Sequence, residues 1–356
     1  MPEIAGIYAR EILDARGLPA VEAEVELSTG TVGRAAAASG ENARLDGDPA
    51  RYAGRGVLDA VENIEKILRP ELAGMDVFDQ IGIDRTLLDA DGSRNGANLG
   101  ANALLAVSLA CAHAACAELH LPLHRYLGGV NAKVLPVPLL PVPGSPEDPF
   151  GKFMIRPVGA DCFAEALKIA SSVLRALEET TGEMPDRLPA AAERAGFVPG
   201  KDVTFALTLS RSAIAEEETD RLADLVSSRF IDTVETDSPE LLRTLARHLG
   251  GRCQLAGNDP TGTEGNTAVL IGPGRFAVLS GILDAVETAK RNRLAVIISP
   301  GPAGTCDNSS ADLAVAVNAG QFQAGSLSGA ADIGQYNQFL RIEEQLGMFA
   351  LYGKLP

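Results

Sequence analysis

The chain has 356 residues, with 31 Lys and Arg against 47 Asp and Glu, for a formal charge of −16. Such a balance argues against a nucleic-acid partner, because a polyanion is met by a basic face. Five scattered cysteines (Cys111, Cys116, Cys162, Cys253 and Cys306) form no CxxC pair, which argues against a disulfide framework or a zinc knuckle. No membrane partner is expected, since no apolar run is read as reaching the roughly 18–20 residues of a bilayer span. The opening MPEIAGIYAREILDARG lacks the apolar core of a secretory signal, so a soluble protein in a reducing cytoplasm is the expectation.

In chain order, Val21, Ala23, Val25 and Leu27 alternate with Glu22, Glu24, Glu26 and Ser28, the period of a strand with one wet face. The turn residues Ser28-Thr29-Gly30-Thr31 and the run Val32–Ala38 complete a hairpin. Residues 39–50 are polar and read as a loop. Val57, Leu58, Val61, Ile64 and Leu68 have helical spacing, and a longer Ala/Leu helix is expected over Asn102–Leu119. The Pro-rich stretch from Val134 to Val142 reads as a linker or edge strand, because repeated proline disrupts a sheet interior. Beyond it, short apolar runs begin at Phe153, Val203, Phe230, Gln254, Phe276 and Leu294. They alternate with helical stretches over 161–179, 214–228, 239–249, 281–291 and 309–319. That alternation predicts parallel strands and a (β/α) barrel. The expected fold class is α/β, an N-terminal α+β domain over 1–133 followed by a barrel over 134–356.

Three blocks then carry a resemblance. Arg10-Glu-Ile-Leu-Asp-Ala-Arg-Gly-Leu-Pro-Ala-Val-Glu22 is similar to the REIxDSRGNPTVE opening of the enolase family. Gly100-Ala-Asn-Ala-Leu-Leu-Ala-Val-Ser-Leu-Ala110 resembles its GANAILAVSLA helix, and Tyr336-Asn-Gln-Phe-Leu-Arg-Ile-Glu-Glu344 its YNQLLRIEE helix. The blocks are collinear from residue 4 to residue 353. The resemblance implies an N-terminal cap on a barrel whose first strands run in mixed directions.

Carried over residue by residue, the resemblance implies a depleted reaction centre. The family removes a proton from 2-phosphoglycerate with a Lys base, a Glu pair and Mg²⁺ ions that stabilise the enolate. Its three carboxylate metal ligands fall here on Thr208, Glu235 and Asn258, with Asp259 adjacent to the last. The strand of the Lys base, LIKxNQIG, is matched with Phe276–Leu283, which has no Lys. The second Lys, in GQIKTG, falls on Gln323, and the Glu of QEFMI falls on Lys152. The SHRSGE loop becomes Ser299-Pro-Gly-Pro-Ala-Gly304, and the GDEGG loop has no counterpart in 182–201. Mg²⁺ favours anionic oxygen, so no cofactor is expected beyond weak residual Mg²⁺ on Glu235.

The functional expectation is an enolase homologue unable to make phosphoenolpyruvate, acting as a pseudoenzyme or binding protein. The alternatives are repurposed chemistry, with Lys152, Glu235 and Asp259 as catalytic candidates, or a weak residual hydratase. Arg156, Thr208, Ser210, Asn258 and Gln323 are the candidate residues for a small ligand in the barrel mouth, with Arg211 beside Ser210. Lys152 is expected to pair with Glu235, replacing a lost cation. Arg10, Glu22, Arg341 and Glu344 match positions of cross-subunit ion pairs in the family, which implies a homodimer.

Overall fold

The computed structural model describes residues 1–143, 151–210, 216–301 and 304–353. The chain begins with three antiparallel strands, β1 (Ile4–Leu13), β2 (Pro19–Leu27) and β3 (Val32–Ala37). The alternation read from the sequence sets their faces: Val21, Ala23 and Val25 are fully buried, while Glu22 and Glu24 line the opposite face. On that wet face Arg10 stands opposite Glu22 and Arg34 opposite Glu24 in register, and each forms a cross-strand ion pair.

The helices that follow are α1 (Leu58–Asn63), α2 (Arg69–Leu72), α3 (Gln80–Asp91), α4 (Ala101–Leu119) and α5 (Leu123–Gly128). The helix expected from Val57 to Leu68 is α1 extended by a wider turn over Ile64–Leu68. Helix α4 lies on the dry face of the sheet, and its small residues permit a close approach. A Cβ at Gly33 would stand 2.1 Å from the backbone nitrogen of Ala114, so only glycine fits there. One reading of the sequence needs correction here. By length and composition Ala101–Leu119 is apolar enough to span a bilayer, but most of its surface is buried in this core.

The second part is a closed barrel of eight strands: β5 (Val137–Pro141), β6 (Lys152–Arg156), β7 (Thr204–Leu209), β8 (Ile231–Thr236), β9 (Gln254–Gly257), β10 (Ala268–Ile271), β11 (Ala295–Ile298) and β12 (Gly320–Gln323). Two short strands, β4 (Val134–Leu135) and β13 (Leu351–Tyr352), pair outside it. Strand β6 is antiparallel to both β5 and β7, and all other barrel pairs are parallel. Two helices, α6 (Phe163–Glu178) and α7 (Met184–Arg194), then return the chain for β7. Single helices α8 (Glu216–Ser228), α9 (Pro239–Leu249), α10 (Leu279–Arg291) and α11 (Ser309–Ala316) serve four of the parallel crossovers, β9 passes to β10 without a helix, and α12 (Ala330–Leu346) follows β12.

Two sequence expectations change. The Pro-rich stretch divides: Val134–Leu135 is an edge strand of the two-stranded sheet, whereas β5 is no linker or edge but is buried within the closed barrel. It pairs β12 over Val137–Leu139 and β6 at Leu140 and Pro141. Phe276–Leu279 is not a strand. It follows a tight turn at Pro273–Arg275 and leads into α10, while the barrel strand is Ala268–Ile271.

The barrel interior is layered. A small apolar middle layer contains Leu139, Met154, Ala206, Ala256, Ala268 and Ile297. Below it Arg156 is fully buried, bonded to Asp232, to Thr233 Oγ1 at 2.6 Å and to Gln321 Oε1 at 3.0 Å. A register shift against β7 lets both Asp232 and Thr233 reach this guanidinium.

The cap and barrel are tied by buried polar contacts. Asp84 on α3 accepts from Ser108 Oγ at 2.6 Å and from the backbone N–H of Ser280 at 2.7 Å. A carboxylate from one part thereby holds the first turn of a helix in the other. Asp307 similarly accepts from the N–H groups of Ala36 in β3 and Ser309 in α11.

Candidate functional site at the barrel mouth

The C-terminal ends of the parallel strands, with the N-terminal end of the reversed β6, form the barrel mouth. This is the end at which barrel folds carry chemistry. Lys152, Thr208 and Glu235 occupy consecutive register positions there on β6, β7 and β8. Gln323 ends β12, which lies four strands from β8 around the ring and therefore across from it.

Glu235 is the centre of this arrangement. Its side chain is buried, and its Oε2 accepts from Gln323 Nε2 at 2.9 Å and Thr208 Oγ1 at 3.3 Å. Its Oε1 accepts nothing from the described residues. Burial pushes the carboxyl up to about 6, against the stabilising bond from Gln323, and the nearby charge of Asp237 adds to the rise. Thr208 and the charge of Lys152 pull the other way. A buried carboxyl tuned near neutrality can exchange a proton at physiological pH.

The expected Lys152–Glu235 ion pair is absent. Thr208 stands between the two in register, and Lys152 is exposed with no ion pair among the described residues. The counter-group to Glu235 is instead the neutral amide of Gln323, reaching across the barrel. That amide also lies 3.3 Å from Met154 Sδ, while its Oε1 is buried without a donor.

Other candidates separate from this centre. Arg156 ends the reversed strand, so it lies at the opposite end of the barrel from Lys152, spent on Asp232 and its neighbours. It is a floor residue rather than part of the mouth. Asn258 turns its amide nitrogen to Asp237, the acidic neighbour that sequence reasoning missed. The period of a strand, carried two residues beyond Glu235, could have found it. Asp259 accepts from Thr261 and Thr263, with side-chain oxygens 2.7 Å away. Burial alone raises this carboxyl, but the hydrogen bonds from Thr261 and Thr263 prevail and hold it at about 2. Its oxygens are thus engaged in ordering their own loop. Ser210 is exposed at the end of β7. Arg211, Pro302 and Ala303 lie outside the described residues.

The stretch Phe276–Leu283 matched with the strand of the Lys base is not a strand; the barrel strand here is β10, Ala268–Ile271. Lysine is absent from this stretch too. Mg²⁺ prefers octahedral oxygen coordination with carboxylate ligands. Here Thr208 gives its proton to Glu235, Asn258 faces Asp237 through nitrogen, and one oxygen of Glu235 already takes two bonds. Among the described residues no three His, Cys, Asp or Glu side chains cluster. Of the three positions matched to metal ligands, Glu235 alone holds a carboxylate.

The residues expected at a subunit interface lie on the exterior. Arg10 bonds Glu22 and Glu24 of its own sheet, Arg341 bonds Gln338 at 3.2 Å, and Glu344 is exposed.

Comparison with protein families agrees with this architecture in both halves. Residues 4–127 match the model of the enolase N-terminal domain, and residues 225–354 match that of the enolase C-terminal TIM barrel domain. With its three-stranded cap, reversed second barrel strand and two matches in chain order, the chain belongs to the enolase family.

Proposed function

We propose that this enolase-family protein does not dehydrate 2-phosphoglycerate and acts instead by binding, with its barrel mouth as a metal-independent ligand site. The observation that supports this is the bond between Glu235 and Gln323 across the mouth. Dehydration in the family needs a basic amine, and an enolate dianion needs dense positive charge. Here β10 carries no Lys where the resemblance expects one, the second Lys position holds the amide of Gln323, and two of the three positions matched to carboxylate metal ligands hold Thr208 and Asn258. A neutral hydrogen-bonding ring cannot supply that stabilisation. The test is phosphoenolpyruvate formation by purified protein with Mg²⁺, for which no rate is expected. The proposal includes a homodimer joined through the face of Arg10, Glu22, Arg341 and Glu344, tested by its mass in solution.

A second reading is favoured by one observation, the Glu235 carboxyl held at about 6. Such a group suits proton transfer to or from a bound molecule without a metal. Turnover of any carbon acid that is lost in Glu235→Gln, with no loss of thermal stability, would support this reading.

A further inference from the structure

Strand β6 runs from the mouth to the floor, so α6 sets out from the floor and its last turn arrives at the level of the mouth, where α7 begins. That helical turn faces the rim formed by β5 and β12, which are neighbours in the ring. Between them lies an open cleft of about 440 Å³. Pro143 after β5, Leu174 of α6 and Leu327 after β12 give it apolar walls.

The polar lining reverses the sign of the chain. Arg175 of α6 and Arg187 of α7 stand against the single carboxylate of Glu178, in a protein of formal charge −16. Glu178 and Glu179 follow Arg175 by three and four residues, the spacing at which helices form ion pairs. Arg175 pairs with neither, and Glu179 is taken by Arg194. Arg187 is half-buried and pinned, its Nη2 donating to Leu177 O at 2.9 Å and its Nε closed off. Its Nη1 is open to solvent and has no acceptor among the described residues. Across the cleft, Ser326 Oγ and Ser328 Oγ stand 2.6 Å apart. One hydroxyl donates to the other, which leaves the second proton without an acceptor among the described residues. A guanidinium fixed in advance lowers the ordering cost of capture, and its planar fork matches a carboxylate.

We infer that this cleft binds a small monocarboxylate with an apolar body. Arg175 and Arg187 Nη1 hold its carboxylate together with the free serine proton, and Leu174 and Leu327 cover its body. Two guanidiniums against one carboxylate leave one positive charge to be met, which suits a single negative charge rather than two. The site is separate from the Glu235–Gln323 contact and does not rest on the binding role proposed for the mouth.

Calorimetric titration of the full chain at low ionic strength tests this with four probes. Benzoate carries both features, benzamide keeps the ring without the charge, acetate keeps the charge without the ring, and inorganic phosphate offers a tetrahedral anion. Benzoate is expected to bind at least about tenfold more tightly than each of the others. Arg175→Ala, at an exposed position, and Arg187→Ala should each weaken benzoate by at least about tenfold. Arg243→Ala, on the exposed face of α9 and outside the cleft, should leave it unchanged. No binding of benzoate, equal binding of any other probe, indifference to Arg175→Ala, or an equal loss in Arg243→Ala would overturn the inference. The dehydration assay bears only on the mouth: a 2-phosphoglycerate rate overturns the binding role proposed there and leaves this site standing.

Discussion

Gln323 Nε2 donates to Glu235 Oε2 at 2.9 Å and so joins β12 to β8 across the mouth of the barrel. The contact matters because of what it replaces. A carboxylate at this strand end would be tied down by a cation where the family's ligands are complete. Here it is tied down by an amide and a hydroxyl, both neutral. The cost appears in its titration, since a buried carboxyl with only neutral donors stays protonated to higher pH.

That cost should be measurable as stability. Glu235 is raised from 4.5 to about 6, so the folded protein binds the proton more tightly than the unfolded chain. Its contribution is complete below about pH 4.5 and is lost as pH rises through about 6. Gln at this position can accept the same two hydrogen bonds without charge. Glu235→Gln should therefore unfold like the parent near about pH 4 and be more stable by about 1–2 kcal/mol near about pH 8. Urea unfolding at the two pH values checks this; an equal difference at both would mean that burial does not tune this group.

The lower end of the barrel should behave differently. Arg156→Ala leaves Asp232, Thr233 and Gln321 facing a void and an unpaired carboxylate. A loss of about 3–5 kcal/mol is expected from chemical denaturation. Binding by whatever fraction remains folded should keep its affinity, since Arg156 lies away from the mouth.

The cap is held to the barrel through Asp84. Burial raises this carboxyl, against the bonds from Ser108 and Ser280 that favour its charge. Asp84→Ala orphans the Ser280 N–H at the start of α10 and should cost about 2–3 kcal/mol. Asp84→Asn, which keeps an acceptor, should cost less. Limited proteolysis should report the difference as faster cleavage between cap and barrel in the Ala variant.

Magnesium should be inert. The transition temperature at about pH 8 should not move with added Mg²⁺, because a ligand of the native state stabilises only in proportion to its affinity. A Mg²⁺-dependent rise that disappears in Glu235→Gln would show that Glu235 binds the metal after all.

Much of the fold was legible because its signals are local. The alternation from Val21 to Leu27 fixed the faces of the cap sheet, and the strand–helix rhythm after residue 150 announced a barrel. The Pro-rich β5 was not legible, since its place inside the barrel depends on closure of the ring by distant strands. Phe276–Leu279 misled for a related reason: four apolar residues do not separate a strand from the approach to a buried helix. At the mouth, motif position pointed to Thr208, Glu235 and Gln323, which the structure brings together, and to Asn258, which faces Asp237 instead. Sequence could not reveal that Gln323 crosses the barrel, that Lys152 is separated from Glu235 by Thr208, or that Arg156 points to the other end. Those facts follow from closure of the ring and reversal of β6, both non-local.

The most direct measurement is phosphoenolpyruvate formation from 2-phosphoglycerate at high Mg²⁺, with parent protein and Glu235→Gln purified in parallel. The account predicts no rate in the parent beyond that of the variant. A Mg²⁺-dependent rate in the parent that Glu235→Gln abolishes would contradict it and would place a functioning base and metal in this barrel.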